Sequence, residues 1–330
     1  MRVTNKMMSN NFLRDLNYNL KNMQRIQTQL TTGKEFKRPS DDPFKVARSM
    51  QLYSDIDTNK QYNENVKDAI NWLDTTDTAL GQANNVFQRI HELMISAGNG
   101  GYSDNERKAI KDEINERVSE FSQILNTSFD GKFIFGGTRG TVKPTDAILN
   151  SDGNTDLKYY SDININATDQ EKKMIDSKLN IEISSGVTIG YNVNAVEILE
   201  FKNLNGEDKN VINIMKSLAN HLDGKASDGS GATDPDALDK LLSDDLTDVK
   251  NILENLTKLR SRVGAMQNRM ESAKVRNEEE NFNIKEILSK TEDIDIAEKT
   301  MEYATMQTVY LASLQTSAKV IQPSLIDYLR

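Results

Sequence analysis

Two histidines, no cysteine and 50 acidic residues are what this chain offers for chemistry. His91 and His221 stand far apart, each inside a helical pattern. Neither has a second His four residues away, the spacing that sets two imidazoles on one helix face for zinc. Without Cys, disulfides and thiolate ligands are excluded. A Ser nucleophile would need a His base that no spacing supplies. Asp152-Gly153-Asn154-Thr155-Asp156 opens like a calcium loop, then places Leu157 where Gly belongs and Ile163 where the closing Glu belongs. Gly136-Gly137-Thr138-Arg139-Gly140 matches neither phosphate-binding glycine pattern and suits a turn after a hairpin. Asp41-Asp42, between Pro39 and Pro43, suits a turn and a helix cap. The expectation is a chain that is not an enzyme and takes no cofactor or metal.

The elements that must carry any function are helices. The chain has 330 residues, 37% apolar and 28% charged, which suits long exposed helices better than one thick core. No apolar run approaches the length of a membrane span, so no membrane insertion is expected. The first thirty residues lack the apolar centre of a cleavable signal peptide. The net charge of −9 is uneven: residues 1–40 are basic and residues 141–250 acidic. The basic charges Arg2, Lys6, Arg14, Lys21 and Arg25 are scattered around an apolar seam rather than gathered with aromatics, so nucleic acid is not an expected partner.

The tail carries the strongest pattern. Ile294, Ala297, Met301, Ala304, Thr308, Leu311, Gln315, Ala318, Gln322 and Leu325 alternate three and four residues apart, a heptad seam. A second row, Tyr303, Met306, Tyr310, Leu314, Ser317 and Ile321, lies along an adjacent face, so one partner is not enough. At the other end Leu13, Leu16, Leu20, Met23, Gln27 and Leu30 repeat the spacing. Burying a Leu or Met gains roughly 1.5–3 kcal/mol, while ordering the backbone costs about 1–2 kcal/mol per residue. Such ends are expected to stay loose in a free chain and to order when copies pack. Leu13, Leu16, Leu20, Met23 and Leu30 with Met301, Ala304, Leu311, Leu314, Ala318 and Leu325 are the expected assembly interface.

Between the ends, Thr31-Thr32-Gly33 closes a first helix, and Asp42 with Pro43 at the first helical position opens a second, running to about Ala97. Ser103 to Glu106 has capping-box spacing for a third helix. Asp130-Gly131 before Lys132-Phe133-Ile134-Phe135 signals a hairpin. Short strands are expected at 157–160, 163–165, 179–183, 187–191 and 196–201, in an insertion that moves relative to the helices. Helix returns at Val211–Leu222. After a polar linker comes a long seam with Leu238, Leu242, Asp245 and Val249 in register, reaching Ile287. A three-residue slip at 291–297, where Glu292, Asp293 and Asp295 cluster, marks a joint between layers. Pro39, Asp41, Asp42 and Pro43 form its other side.

Met1-Arg2-Val3-Thr4, the run from Leu20 through Gly33-Lys34, and Pro39-Ser40-Asp41-Asp42-Pro43 resemble the N-terminal region of bacterial flagellins and their junction relatives. Ser289 to Ala297, Gln315-Thr316 and Leu325-Ile326-Asp327-Tyr328-Leu329 resemble the matching C-terminal region. Pro43-Phe44-Lys45 replaces the Ala-rich segment usual in flagellin proper. With Lys132 to Gly137, this resembles more closely the type 3 hook-associated family, which sits at the hook–filament junction. The resemblance implies a structural, self-assembling ring in the flagellar axis. Its implied partners are a hook-side junction protein, flagellin, an export chaperone and the type III export apparatus. Its implied place is outside the cell, reached without a cleaved signal. A flagellin filament subunit and, from another class, a helical surface adhesin or sensor are the alternatives.

The expected fold is mainly α. A long antiparallel coiled coil from residues 1–40 plus 290–330 is the assembly domain. A helical middle domain covers 41–140 plus 206–289, and a β-rich outer insertion covers 141–205.

Overall fold

The computed structural model describes residues 5–98, 104–150, 153–161, 167–226, 234 and 236–320. The Gly100-Gly101 turn, the Ser103 cap, the 163–165 strand, Gln322, Ile321 and the Leu325–Leu329 motif lie outside the described residues, as does the side chain of Ala318.

The fold is mainly α, with small antiparallel hairpins. Helix α1 (Asn5–Thr32) stops where Gly33 takes a φ of +71°, a conformation that costs an L side chain dearly. Helix α2 (Pro43–Ala97) begins under a cap in which Asp42 Oδ1 accepts the Lys45 N–H at 3.0 Å. After α3 (Asp104–Leu125), strands β1 (Ser128–Phe129) and β2 (Lys132–Phe133) pair across Asp130 and Gly131. Both turn residues have positive φ, as a two-residue hairpin loop of this hand requires.

Strand β3 (Thr145–Leu149) pairs with β4 (Thr155–Tyr159), and β5 (Asn180–Ser184) with β6 (Val187–Gly190). Between them lies α4 (Asp169–Ile175), opened by a reciprocal Thr168–Glu171 capping box. The stretch expected as a strand over 196–201 is instead α5 (Ala195–Leu199) followed by β7 (Glu200–Lys202), which pairs with β8 (Asp208–Asn210). Ala195, Ile198 and Leu199 are all buried, a helical spacing that decides the matter locally.

Helix α6 (Val211–Leu222) follows. Helix α7 (Ala237–Lys240) runs through a π-helical turn, Leu241–Asp245, into α8 (Leu246–Glu292), and α9 (Ile296–Val320) ends the chain's described part. The π turn corrects the expected seam. Its extra residue puts Leu241 in the core and leaves Leu242 39% exposed, while Asp245 and Val249 stay buried.

The chain divides into two compact units, one of residues 1–60 with 279–330 and one of residues 61–278. In the second, Arg260 forks onto Asp77 with two 3.0 Å hydrogen bonds and Gln267 reaches Asp74. These pairs show α2 and α8 antiparallel. Arg89 meets Glu113, and the Phe87 and Phe121 rings meet edge-on at 4.8 Å, setting α3 antiparallel to α2. Leu157, Ile175, Ile183, Ile189, Val193 and Ile198 from the 141–205 segment are buried in the same core as Leu73, Leu80, Leu256 and Val263. Gly137, at φ +58°, lies where a Cβ would come within 2.3 Å of the Ile175 carbonyl oxygen and 2.5 Å of that of Met174. Gly137→Ala is expected to lower the stability of this unit by more than about 2 kcal/mol, read by thermal unfolding.

Candidate assembly surface and its joint

Within the unit of residues 1–60 and 279–330, α1 and α9 pack side by side. Gly33 O accepts the Ile294 N–H at 3.1 Å, which sets the end of α1 against the start of α9 and makes the pair antiparallel. In this single chain α1 and α9 are paired over their described residues, where the sequence favoured ends left loose until copies meet. On α1, Ile26 is fully buried.

Each helix turns a particular stripe inward. On α1 the covered row is Phe12, Leu16, Asn19, Met23, Ile26 and Leu30, again alternating four and three. Of the expected residues, Leu16, Leu20, Met23 and Leu30 are half-buried, whereas Leu13 is 48% exposed and Gln27 is exposed. On α9 the half-buried row is Lys299, Tyr303, Met306, Tyr310, Ser313 and Ser317. The stronger heptad seam faces away: Met301 is 66% and Leu311 54% exposed, and Ala297, Ala304, Thr308 and Gln315 are also exposed, as is Leu314 of the second row, at 40%. The structure therefore groups Leu16, Leu20, Met23 and Leu30 at the pair's contact. It leaves Leu13, Met301, Ala304, Leu311 and Leu314 on the open surface. Ile26 and Phe12 were missed because Asn19 interrupts their row, although their spacing to Leu16, Met23 and Leu30 is as regular.

The joint is a short two-stranded clasp. Lys34 and Asp293 form an isolated antiparallel bridge, and the Glu35 N–H donates to Glu292 O at 2.7 Å. Lys34 Nζ reaches Asp293 Oδ1 at 2.8 Å and Glu292 Oε1 at 3.2 Å. Gln29 Nε2 donates to Glu35 O, and Lys45 pairs with Glu35. Asp295 caps α9, accepting the N–H groups of Ala297 and Glu298. On the other side, Asp41 accepts the N–H groups of Lys37 and Arg38, Asp42 caps α2, Pro39 is exposed and Pro43 is the first residue of α2. Glu292 and Asp293 thus meet Lys34 and Glu35, two residues the sequence reading missed. Asp41 and Asp42 serve their own loop. A bridge between positions this far apart leaves no local signal.

The hydrogen bond from Lys34, then that from Ser289, holds the Asp293 carboxyl below its ordinary range, and the Asp293 bond raises the Lys34 ammonium. Asp293 therefore adds stability above the carboxylate range and loses it as pH falls, while Lys34 adds it below its ordinary value and loses it as pH rises. The clasp is at full strength between about pH 5 and pH 10. Both side chains are over a third exposed, so the contribution is under about 1 kcal/mol. Asp293→Asn is expected to speed hydrogen exchange at the Ile294 amide several-fold at pH 7 and to leave it at the parent's rate near pH 2.

Among the described residues no group of His, Cys, Asp and Glu could hold a metal ion, and no helix is long and apolar enough to cross a membrane.

Comparison with known proteins places these helices. The profile of the bacterial flagellin N-terminal helical region matches residues 3–139, and that of the C-terminal helical region matches residues 246–329. A flagellin of Clostridium tyrobutyricum is 25% identical over 92% of this chain and 94% of its own length. Among solved structures, the flagellar hook-associated protein-3 of Legionella pneumophila superposes with a TM-score of 0.57 at 13% identity, covering 73% of this chain and 98% of that one. The structure described as the flagellar junction protein FlgL of the same organism gives 0.52 at 14% identity, covering 76% of this chain and 100% of that one. At such identities these structures establish the fold.

Proposed function

Since this chain belongs to the bacterial flagellin family, we propose that it is a non-enzymatic structural subunit of the flagellum, forming the junction between hook and filament by self-assembly of its terminal helices. The observation that carries this reading is the open stripe of α9. A heptad seam regular enough to be a coiled-coil core is left exposed at Met301 and Leu311, with Leu314 of the adjacent row exposed beside it. A surface of this kind suits copies of the same chain around an axis, with Leu13 contributing from α1; Ala318 and Leu325 belong to the same interface on the sequence pattern alone.

Pro43-Phe44-Lys45 and the run Lys132 to Gly137 support the junction rather than the filament. So does the fold shared along whole chains described as hook-associated and junction proteins. On this reading residues 1–40 and 290–330 form the inner tube, and 41–140 with 206–289 the second layer. Residues 141–205 form the outward part, and the Lys34–Asp293 clasp, flanked by Asp41, Asp42 and Asp295, is the joint between layers. The partners are further copies, a hook-side junction protein and flagellin, all outside the cell. A cytoplasmic chaperone and the type III export apparatus deliver the chain unfolded. Absence of Cys suits that passage.

A second reading, the filament subunit itself, is favoured by the nearly end-to-end alignment with the Clostridium flagellin. Imaging cells deleted for this chain separates the two. Hooks that persist without filaments, with filament protein free in the medium, are expected for a junction protein. Filaments of normal length would overturn it, and hooks already bearing a complete junction would favour the filament subunit.

A further inference from the structure

We propose that the cleft between the end of α1 and the start of α2 receives the exposed acidic run of α8 about Glu279, Glu278-Glu279-Glu280, of a second copy of this chain. The cleft encloses about 610 Å³, and Arg25, Gln29, Lys37 and Arg38 are among the residues that line it. Its carboxylates are engaged at home: Glu35 pairs with Lys45, Asp41 accepts the Lys37 and Arg38 N–H groups, and Asp42 caps α2. Arg38 also lies close enough to Asp41 to help lower its carboxyl, after the two backbone bonds. Arg25, Lys37 and Arg38 are exposed and form no ion pair among the described residues. The cleft therefore calls for an occupant that brings negative charge.

The chain itself supplies one. Glu278, Glu279 and Glu280 are exposed, and none has an ion-pair partner among the described residues. The triplet cannot serve its own cleft. Lys34 of the cleft is fixed to Glu292, and from Glu279 to Glu292 the helix climbs about 20 Å. A neighbouring copy, displaced along a common axis, brings the two together. Complementary charge of this sort sets register between copies more than it adds affinity.

This inference rests on the self-assembly reading, and the test keeps the two apart. In the cysteine-free chain, Arg38→Cys with Glu279→Cys provides a single engineered pair. In flagella sheared from cells carrying the double variant, oxidation is expected to give disulfide-linked multimers, with each single variant remaining monomeric. Arg25→Glu with Arg38→Glu is expected to reduce incorporation at least about tenfold, and adding Glu278→Lys, Glu279→Lys and Glu280→Lys is expected to restore it. A double-cysteine chain that incorporates normally but stays monomeric, or a charge swap that restores nothing, overturns the pairing and leaves self-assembly standing. Absence of the unaltered chain from sheared flagella overturns self-assembly itself.

Discussion

Leu311→Asp is expected to leave the purified chain folded and to abolish its incorporation into flagella. Leu311 is 54% exposed in the single chain, and a substitution on such a surface changes stability by about 0.5 kcal/mol or less. On the proposed reading, the same position in an assembly lies between helices of different copies. An uncompensated carboxylate there costs several kcal/mol per copy, and every copy carries it. The comparison with Ile26→Asp makes the experiment decisive. Ile26, on α1, is fully buried within the single chain, so that change damages the single molecule as well. The two variants should therefore separate in circular dichroism and thermal unfolding while failing alike in assembly. Leu311→Met, which keeps the apolar surface and the helix propensity, should assemble as the parent does. Normal filament growth with Leu311→Asp would mean that the outward seam of α9 is not an interface.

What could be read from the sequence was whatever a few neighbouring residues decide. Gly33 closing α1, Asp42 and Pro43 opening α2, Ala97 ending it, the Asp130-Gly131 hairpin and Val211–Leu222 all lie where local rules place them. Helix α4 was missed, although Thr168 and Glu171 carry the capping-box spacing that announces it. The 196–201 stretch was misread because a short apolar run with β-branched residues satisfies strand and helix alike. Only burial of Ala195, Ile198 and Leu199 together settles it. The choice of face on α1 was harder. Rows through Leu13 and through Phe12 share Leu16, Met23 and Leu30, and each contains one polar defect, Gln27 or Asn19. Nothing local says which row the chain keeps and which it presents. The Lys34–Asp293 clasp and the Leu241 shift at the π turn depend on what packs alongside, and no periodicity encodes either.

That π turn leads to the largest stability effect expected in the unit of residues 61–278. Asp245, its last residue, is carried into the core, where its Oδ2 meets His221 Nδ1 at 2.5 Å with both side chains about 95% covered. Burial raises the Asp245 carboxyl, against the opposing effect of the His221 hydrogen bond. His221 Nε2 has no partner among the described residues, so Nδ1 makes the ring's one hydrogen bond there. Asp245→Ala removes that bond and leaves a buried imidazole with neither nitrogen satisfied. A loss of about 2–4 kcal/mol is expected, visible as a drop in the melting temperature of this unit. The double variant His221→Leu with Asp245→Leu buries no orphan and should lose less than Asp245→Ala, a non-additivity that a mere packing defect would not give. The sign of the pH effect follows from the same burial. Between the ordinary carboxylate range and the raised value the folded chain binds more protons than the unfolded one. The Asp245 contribution to stability therefore falls as pH climbs through that window, and the double-Leu variant should lack this slope. A loss below about 1 kcal/mol for Asp245→Ala would show the pair to be hydrated in solution.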